Sequence, residues 1–293
     1  ITNVLAGVSW IQRQLIVPHL FSLIQHIPAR EEGTRSLPKT PLTITFEGVS
    51  FAYPDTTQTI IHGLDITFRE GEYVALVGLN GAGKSTFLKL LAGIYRPTAG
   101  RILVNGIPLE RIRSDAWVKY LGYMNQDIPK FDDTIENIIG YGRPGAVWGK
   151  EAKAAARVSG FDEVLKELPK REKTHVGRAF ALPEDEPVEL SGGQQQLLMI
   201  AQTLHRPARV MILDEPTSAV DAEKEDAFFR RLPEAVEGRL CLVVSHRFSV
   251  LRRAERILVM DGGKIIEDGS HDSLVEKKGR YAELFALQAK MYQ

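Results

Sequence analysis

The chain has 293 residues, which is long enough for one large or two modest domains. Of these residues, 44% are apolar and 25% are charged, a composition that excludes a disordered or fibrous protein. Lysine plus arginine and aspartate plus glutamate both number 37, so the basic excess typical of nucleic-acid binding is missing and we predict no nucleic-acid partner. The single cysteine, Cys241, cannot form an internal disulfide, which suits a reducing compartment.

Residues 1–28 differ from the rest of the chain because they carry one fixed charge, Arg13. Apolar side chains recur on one helical face, and Pro18 should interrupt that helix. The segment lacks a run of 18 uncharged, apolar residues, so it is not a complete membrane span. The pattern fits either a soluble amphipathic helix or the end of a transmembrane helix. Since the chain starts at Ile1 rather than Met, we expect a fragment of a longer protein.

Residues 29–41, which follow Pro28, are typical of a linker, with two prolines, a glycine and several charges, and they place a domain boundary near residue 37. Beyond it, strand and helix patterns alternate, with a helix-rich block over 132–170. The predicted elements are strands Leu42–Phe51, Ile60–Phe68, Tyr73–Val77, Arg101–Val104, Val210–Leu213 and Leu240–Val244, and helices Phe87–Leu91, Lys150–Val158, Gln194–Leu204 and Tyr281–Gln293. This alternation predicts an α/β nucleotide-binding core around a mainly parallel sheet.

A glycine loop lies between the third predicted strand and the helix that follows it. It consists of Gly78, Leu79, Asn80, Gly81, Ala82, Gly83, Lys84, Ser85 and Thr86. Glycines at this spacing let successive backbone N–H groups face a phosphate, and the helix adds the positive end of its dipole. Lys84 would reach the β- and γ-phosphates, and the Ser85 hydroxyl would bind Mg²⁺. The alternative is a glycine-rich turn that happens to precede a helix.

Two carboxylates end the apolar run Val210–Leu213. An apolar run of this kind fits a strand buried on both faces, and open α/β sheets bind ligands at the carboxyl ends of such strands. Asp214 is suited to hold Mg²⁺ opposite Ser85, and Glu215 to orient a water molecule and accept its proton. Taken alone, the segment would also fit a solvated acidic turn.

The signature segment, residues 190–194, is a second candidate phosphate-binding element. It consists of Leu190, Ser191, Gly192, Gly193 and Gln194 and leads into a predicted helix. Two flexible backbone donors, a hydroxyl and a helix dipole can together hold a phosphate. Spacing alone leaves open whether this segment and the glycine loop meet in one molecule or across two.

In this order, the motifs resemble the ATP-binding cassette family over residues 37–293. The match comprises Tyr53, the glycine loop as Walker A, Gln126 as the Q-loop glutamine, the signature segment, Val210–Asp214 as Walker B, Glu215, the D-loop Ser218–Asp221, and His246 as the switch histidine.

The resemblance implies roles for residues that carry little signal alone. Tyr53 would stack on adenine, Gln126 would bind Mg²⁺ and sense a transmembrane partner, and His246 would contact the γ-phosphate and help hold the attacking water. Two domains would sandwich two ATP molecules head to tail, so that the signature segment and Asp221 of one face the ATP of the other. Tyr53 could otherwise be a turn aromatic.

The family's fold would be a P-loop NTPase (RecA-like) core with a mainly parallel sheet, an antiparallel β subdomain and an inserted α-helical subdomain over about 127–205. The nucleotide-binding domain would span 37–293. Residues 1–36 would be the cytoplasmic end of a last transmembrane helix plus a linker, because exporter-type members place a membrane domain ahead of the cassette. The expected cofactors are ATP and Mg²⁺. The expected protein is multi-pass in the cell membrane, with this domain in the cytoplasm.

Two departures from the exporter pattern affect its expected coupling segment. Thr174, Val176 and Gly177 match the usual motif, but Arg178 stands where glutamate is usual and Phe180 where glycine is usual, followed by an acidic loop at 184–186.

Two other function classes stay open on the sequence alone. One is a soluble cassette ATPase that moves nothing across a membrane, and the other is a regulatory half that binds ATP without hydrolysing it.

Overall fold

The computed structural model describes residues 33–37, 40–54, 56–178, 186–245, 247 and 251–291. The predicted helix within 1–28, Phe180, most of the acidic loop and His246 lie outside the described residues. Among the described residues, no helix has both the length and the apolar composition needed to cross a membrane.

Twelve strands occur in the described part of the chain. They are β1 (Thr43–Ala52), β2 (Thr59–Arg69), β3 (Tyr73–Val77), β4 (Ala99–Val104), β5 (Ile107–Pro108), β6 (Leu121–Met124), β7 (Asp133–Thr134), β8 (His175–Val176), β9 (Val210–Asp214), β10 (Leu240–Val244), β11 (Arg256–Asp261) and β12 (Lys264–Gly269).

The same part of the chain contains nine α-helices. They are α1 (Lys84–Leu91), α2 (Ser114–Tyr120), α3 (Ile135–Gly140), α4 (Lys150–Ser159), α5 (Phe161–Glu167), α6 (Gly192–His205), α7 (Ala222–Ala235), α8 (His271–Glu276) and α9 (Arg280–Met291).

The central sheet has six strands in the order β12-β11-β3-β10-β9-β6. All neighbouring pairs are parallel except β11 with β12. The prediction of a mainly parallel sheet is therefore confirmed. Since β3 and β9 both flank β10 and run parallel to it, the segments that follow these strands, the glycine loop and Glu215, emerge at the same edge of the sheet.

Strands β3, β9 and β10 are buried along their whole length because both faces of the sheet are covered. Alternate side chains enter two different cores: Ala75 lies in one apolar cluster, whereas Val74 and Leu76 lie in the other. A strand with two buried faces needs apolar residues at every position. This is why these three strands were predicted almost to the residue.

A second, antiparallel sheet has the order β2-β1-β4-β5 and packs on α1. The Phe87 ring of α1 lies 5.2 Å from that of Phe46 on β1 and 6.0 Å from that of Phe68 on β2, measured between centroids. Aromatic contacts at these distances fix the helix against the sheet. The helix that begins at the glycine loop is thereby held against the antiparallel sheet.

Helices α3 to α6 lie in the chain between β6 and β9, and α6 packs against α3, α4 and α5. Buried alanines of α4, Ala152, Ala155 and Ala156, allow α4 and α6 to approach closely. The helix-rich block predicted over 132–170 is confirmed, with the short strand β7 as its first regular element.

The linker segment 33–37 is docked on the domain rather than separate from it. The Arg35 N–H donates to the Arg111 carbonyl at 3.0 Å, and the Arg113 N–H donates to the Arg35 carbonyl at 3.0 Å. At Gly33, an added Cβ would lie 2.3 Å from the Arg111 carbonyl carbon, so only glycine fits there without a shift. These contacts attach the linker immediately before α2.

Candidate functional site

The glycine loop curls because three of its residues adopt backbone angles that favour glycine. Gly78, Gly81 and Gly83 have φ of 157°, 80° and 99°. A Cβ at Gly78 would also lie 2.2 Å from the Met260 carbonyl oxygen. Gly83 is the N-cap of α1, so the last residues of the loop, Lys84 to Thr86, form the first turn of that helix. Unpaired first-turn N–H groups there are suited to bind an anion.

Lys84 is buried beneath the loop, with 7% of its surface exposed. Its Nζ donates to the carbonyl oxygens of Gly78 at 2.7 Å and Leu79 at 3.0 Å. Burial lowers the pKa of its ammonium group, and the nearby carboxylates of Glu215 and Asp214 oppose that shift. The loop is therefore held around a buried cation that lies close to both candidate catalytic carboxylates.

Asp214 ends strand β9 with 1% of its surface exposed. Burial raises the pKa of its carboxyl group, while a hydrogen bond from Ser85 acts in the opposite direction. Within the part of the chain that the structure describes, Asp214 Oδ2 has no hydrogen-bond partner. A buried carboxylate oxygen that lacks a partner, beside a serine hydroxyl, fits a hard divalent cation that prefers oxygen ligands.

Glu215 is placed by an unusual backbone conformation and by a contact from the next strand. Its φ is 48°, uncommon for a residue other than glycine, and its N–H donates to the Val244 carbonyl at 3.1 Å. Gln126, two residues beyond β6, donates from Nε2 to Glu215 Oε2 at 3.3 Å. Because β6 and β9 are parallel neighbours, the sheet brings the predicted Q-loop glutamine to the predicted general base.

Tyr53 is half-buried and held by three contacts. Its hydroxyl lies 3.0 Å from the Thr86 Oγ1, and its ring meets the rings of Tyr95 and Phe51 edge-on at 5.2 Å and 5.0 Å. These contacts fix the ring beside the first turn of α1. The role of Tyr53 toward adenine stays a prediction.

The signature segment begins α6 with a capping box. Ser191 Oγ accepts from the Gln194 N–H at 3.3 Å, and the Ser191 N–H donates to Gln194 Oε1 at 2.9 Å. Ser191 and Gly192 are exposed. Among the described residues, no hydrogen bond joins the signature segment to the glycine loop.

Asp221 lies at the start of α7, where its carboxylate caps the helix. Oδ1 accepts from the Lys224 N–H at 2.9 Å, and Oδ2 lies 3.1 Å from Lys224 Nζ. The backbone hydrogen bond from Lys224, followed by the side-chain one, lowers the pKa of Asp221. His246 is not among the described residues, but β10, which leads to it, lies between the strands that precede the glycine loop and Glu215.

Comparison with known proteins decides the family. Residues 61–218, more than half of the chain, match the family described as ABC transporter. The chain belongs to the ABC transporter family. Its fold is that of a P-loop NTPase, and it carries the ATP-binding ATPase domain of this family.

Relatives of this ABC transporter chain include three proteins named ATP-dependent lipid A-core flippase. That of Paraburkholderia xenovorans is 38% identical over 272 residues, 92% of this chain and 44% of the relative. That of Alkalilimnicola ehrlichii is 35% identical over 269 residues, with 92% and 44% covered. That of Bordetella avium is 35% identical over 283 residues, with 96% and 46% covered.

Among solved structures, a bacterial Atm1-family ABC exporter with ATP bound is similar, with a TM-score of 0.81 and 34% identity. The similarity covers 95% of this ABC transporter chain and 48% of that exporter. The chain thus spans about half the length of the relatives that it matches.

Two features of this ABC transporter site are not predicted from the sequence. One is the bond between Tyr53 and Thr86, and the other is the contact of Gln196, on α6, with the D-loop. The helical spacing from Gly193 to Gln196 indicates a shared face of α6. Nothing in the sequence shows that residues 218–219 cover that face.

Thr86→Val and Tyr53→Phe should each weaken ATP binding about fivefold, the effect of losing about 1 kcal/mol of hydrogen bonding. Both changes remove the same bond, so the double variant should bind no more weakly than either single one. Binding of fluorescent ATP to the three proteins measures this, with Thr86→Ser, which keeps a hydroxyl, as the control. A double variant weakened about 25-fold, the product of two independent effects, would show that the bond does not orient Tyr53 for ATP.

Proposed function

We propose that two copies of this domain, or this domain and a similar one, bind two ATP molecules head to tail and hydrolyse them to drive export across a membrane. The observation that carries the proposal is the convergence of Lys84, Asp214, Glu215 and Gln126 at the edge of the sheet beside the glycine loop. Membership of the ABC transporter family supports ATP as the nucleotide.

The residues at this edge of the sheet divide the chemistry of phosphoryl transfer among them. The glycine loop and Lys84 hold the phosphates, and Glu215 accepts a proton from the attacking water and orients it. Gln126 donates a hydrogen bond to the Glu215 carboxylate. His246 is proposed to contact the γ-phosphate. Asp214, Ser85 and Gln126 would hold Mg²⁺, which when bound neutralises charge on the transferred phosphoryl group.

The head-to-tail arrangement is supported by where the two phosphate-binding elements lie. The first turn of α6 exposes Ser191 and Gly192, with the capping box already satisfied inside the segment. The glycine loop forms no hydrogen bond with the signature segment in the described part of the chain. An exposed, preformed helix N-terminus is suited to the γ-phosphate of an ATP held by a second domain. Asp221 of the D-loop would face the same ATP.

The proposed membrane partner is a transmembrane domain that precedes this domain on the full-length chain. Residues 1–36 would contain the end of its last helix and a linker, 37–293 the nucleotide-binding domain, and about 127–205 the helical subdomain. We place the domain on the cytoplasmic side of the membrane. The names of the similar proteins, which are an exporter and flippases, support this assignment.

A groove of about 470 Å³ is the surface that would receive that partner. Ile128–Asp132, which follow Gln126, form one wall, and Val176–Arg178 and the start of α6 form the others. Arg178, the departure from the usual motif, lies at the exposed rim with its Nε 3.8 Å from Glu189 Oε1. A segment seated here would contact the chain between Gln126 and the signature segment, as coupling requires.

Mixing two inactive variants tests the head-to-tail site. Lys84→Ala removes the phosphate-binding lysine, and Gly192→Asp places a carboxylate at the exposed start of α6. The nearest atom to a Cβ at Gly192 is 3.9 Å away, so the second change should leave the fold intact. Each variant alone should be inactive. A mixed dimer has one complete site, so an equimolar mixture should release phosphate faster than either variant alone, at no more than about one quarter of the wild-type rate.

Phosphate release from the wild type, from each variant and from the mixture provides the comparison. A mixture no faster than its components would contradict a site shared between two domains. Absence of phosphate release from the wild-type dimer would contradict the proposed hydrolysis and favour a regulatory binding module.

A further inference from the structure

The D-loop, together with the preceding Thr217, is held at both ends by hydrogen bonds to α7. Thr217 Oγ1 donates to Glu225 Oε1 at 2.6 Å, and the other oxygen of Glu225 pairs with Arg247. Glu225 is only 2% exposed. At the far end, Asp221 caps α7. The loop that follows Glu215 is therefore anchored to α7 and to the segment after β10.

The centre of the D-loop is held by a side chain from a different part of the chain. Gln196, on the second turn of α6, is 2% exposed. Its Nε2 donates to Ser218 Oγ at 2.6 Å, and its Oε1 accepts from the Ala219 N–H at 2.6 Å. The buried amide thus uses its donor and its acceptor on two successive residues of the D-loop, Ser218 and Ala219, which themselves lie at the surface.

The backbone of α6 also approaches the D-loop closely. A Cβ at Gly193 would lie 2.7 Å from the Ala219 carbonyl oxygen, which is backbone and cannot easily move away. The first turn of α6 therefore lies directly on the D-loop. Gln196 and Gly193 are three residues apart, so they are on the same face of the helix.

These contacts join two parts of the molecule that would serve different ATP sites. On the proposed function, the start of α6 contacts the ATP of the partner domain, whereas Glu215, three residues before Ser218, acts on the ATP of its own domain. We propose that Gln196 is a positioning residue that fixes the signature segment to the D-loop, so that docking of the signature segment on one ATP sets the position of Glu215 at the other.

Gln196→Met tests the attachment itself, because methionine has a similar volume and removes both hydrogen bonds. Amide hydrogen exchange in a peptide covering 216–222 should become about tenfold faster, since the Ala219 N–H loses its acceptor and the D-loop opens more often. Gln202→Met is the matched control on the same helix. Its Nε2 donates to the Ile138 carbonyl at 2.8 Å, away from the D-loop, so exchange over 216–222 should not change.

The kinetic test separates positioning from folding. In the wild-type background, Gln196→Met should lower kcat for ATP about tenfold to a hundredfold, the scale of a misplaced catalytic group, and leave KM within about twofold. Gln202→Met should leave both unchanged. Ser218→Ala, which removes only one of the two bonds and is small, should lower kcat by less. The double variant Gln196→Met/Ser218→Ala should be no slower than Gln196→Met.

The outcomes of these two tests can be distinguished from a failure of the proposed function. Unchanged hydrogen exchange in Gln196→Met would overturn the attachment, and faster exchange with wild-type kcat and KM would overturn its role in placing Glu215. Equal loss of kcat in Gln202→Met would reduce the effect to general destabilisation. A wild-type protein that does not hydrolyse ATP would refute the proposed function and with it the role toward Glu215, while hydrogen exchange would still decide the attachment.

Discussion

Replacing Glu215 with glutamine is expected to lower ATP turnover about 100- to 1,000-fold while ATP binding is retained. Glutamine has the same shape and can keep a contact with Gln126, but it cannot accept a proton from water. The positive φ of Glu215 is a reason to keep the side chain similar in size, because a larger change could relax the backbone at this position.

The measurement is the rate of phosphate release at saturating ATP, together with ATP affinity and size-exclusion chromatography. Since the chemistry is blocked after ATP binds, Glu215→Gln should accumulate as an ATP-bound dimer that elutes earlier than the wild type. Glu223→Gln is a matched control, because Glu223 is an exposed glutamate in the first turn of α7. A Glu215→Gln protein with an undiminished rate would contradict the assigned role.

Lys84→Ala is the second change with a large expected effect, and it should act on binding rather than only on chemistry. The ammonium is buried and lies near Asp214 and Glu215, so its removal leaves two carboxylates without their nearby cation. It also releases the carbonyl oxygens of Gly78 and Leu79. We expect ATP affinity to fall at least about 30-fold, which corresponds to about 2 kcal/mol for a lost buried charge contact.

Isothermal titration with ATP measures that loss. Lys84→Met keeps most of the apolar stem and therefore separates the loss of charge from the loss of packing. Lys89→Ala removes a lysine from the last turn of the same helix and should leave affinity within about twofold, because its partly exposed charge is screened by solvent. If Lys84→Met bound ATP as the wild type does, the ammonium group and its hydrogen bonds would be dispensable for binding, and only the apolar stem of the side chain would matter.

The sequence predicts the buried strands well because their environment imposes one composition. The strand predicted over Leu240–Val244 is confirmed residue for residue, and β9 extends the prediction by one residue to Asp214. Helix starts are less well predicted. Helix α6 begins at Gly192 rather than Gln194, because the capping box of Ser191 makes the two glycines helical. Strand β6 is not predicted from the sequence, because it has only four residues and one of them is a glycine.

The candidate site shows the same division between local and distant information. Lys84, Ser85, Asp214 and Glu215 could be predicted because each follows directly from a strand or a glycine loop in its own segment. The hydrogen bond from Gln126 to Glu215 joins residues 89 positions apart, and that of Gln196 to Ser218 joins residues 22 apart. Such contacts depend on which strands become neighbours, and the pattern of a single segment does not contain that information.

The docked linker has a mechanical consequence. The backbone of Arg35 is hydrogen-bonded to both Arg111 and Arg113. A displacement of the chain at Gly33 should therefore be transmitted to the backbone just before α2 and not be absorbed by a flexible linker. Helix α2 runs directly into β6, and β6 ends two residues before Gln126. The linker and Gln126 are therefore joined through two consecutive regular elements, α2 and β6. A displacement of the linker should therefore shift Gln126 through α2 and β6, independently of any segment bound in the groove.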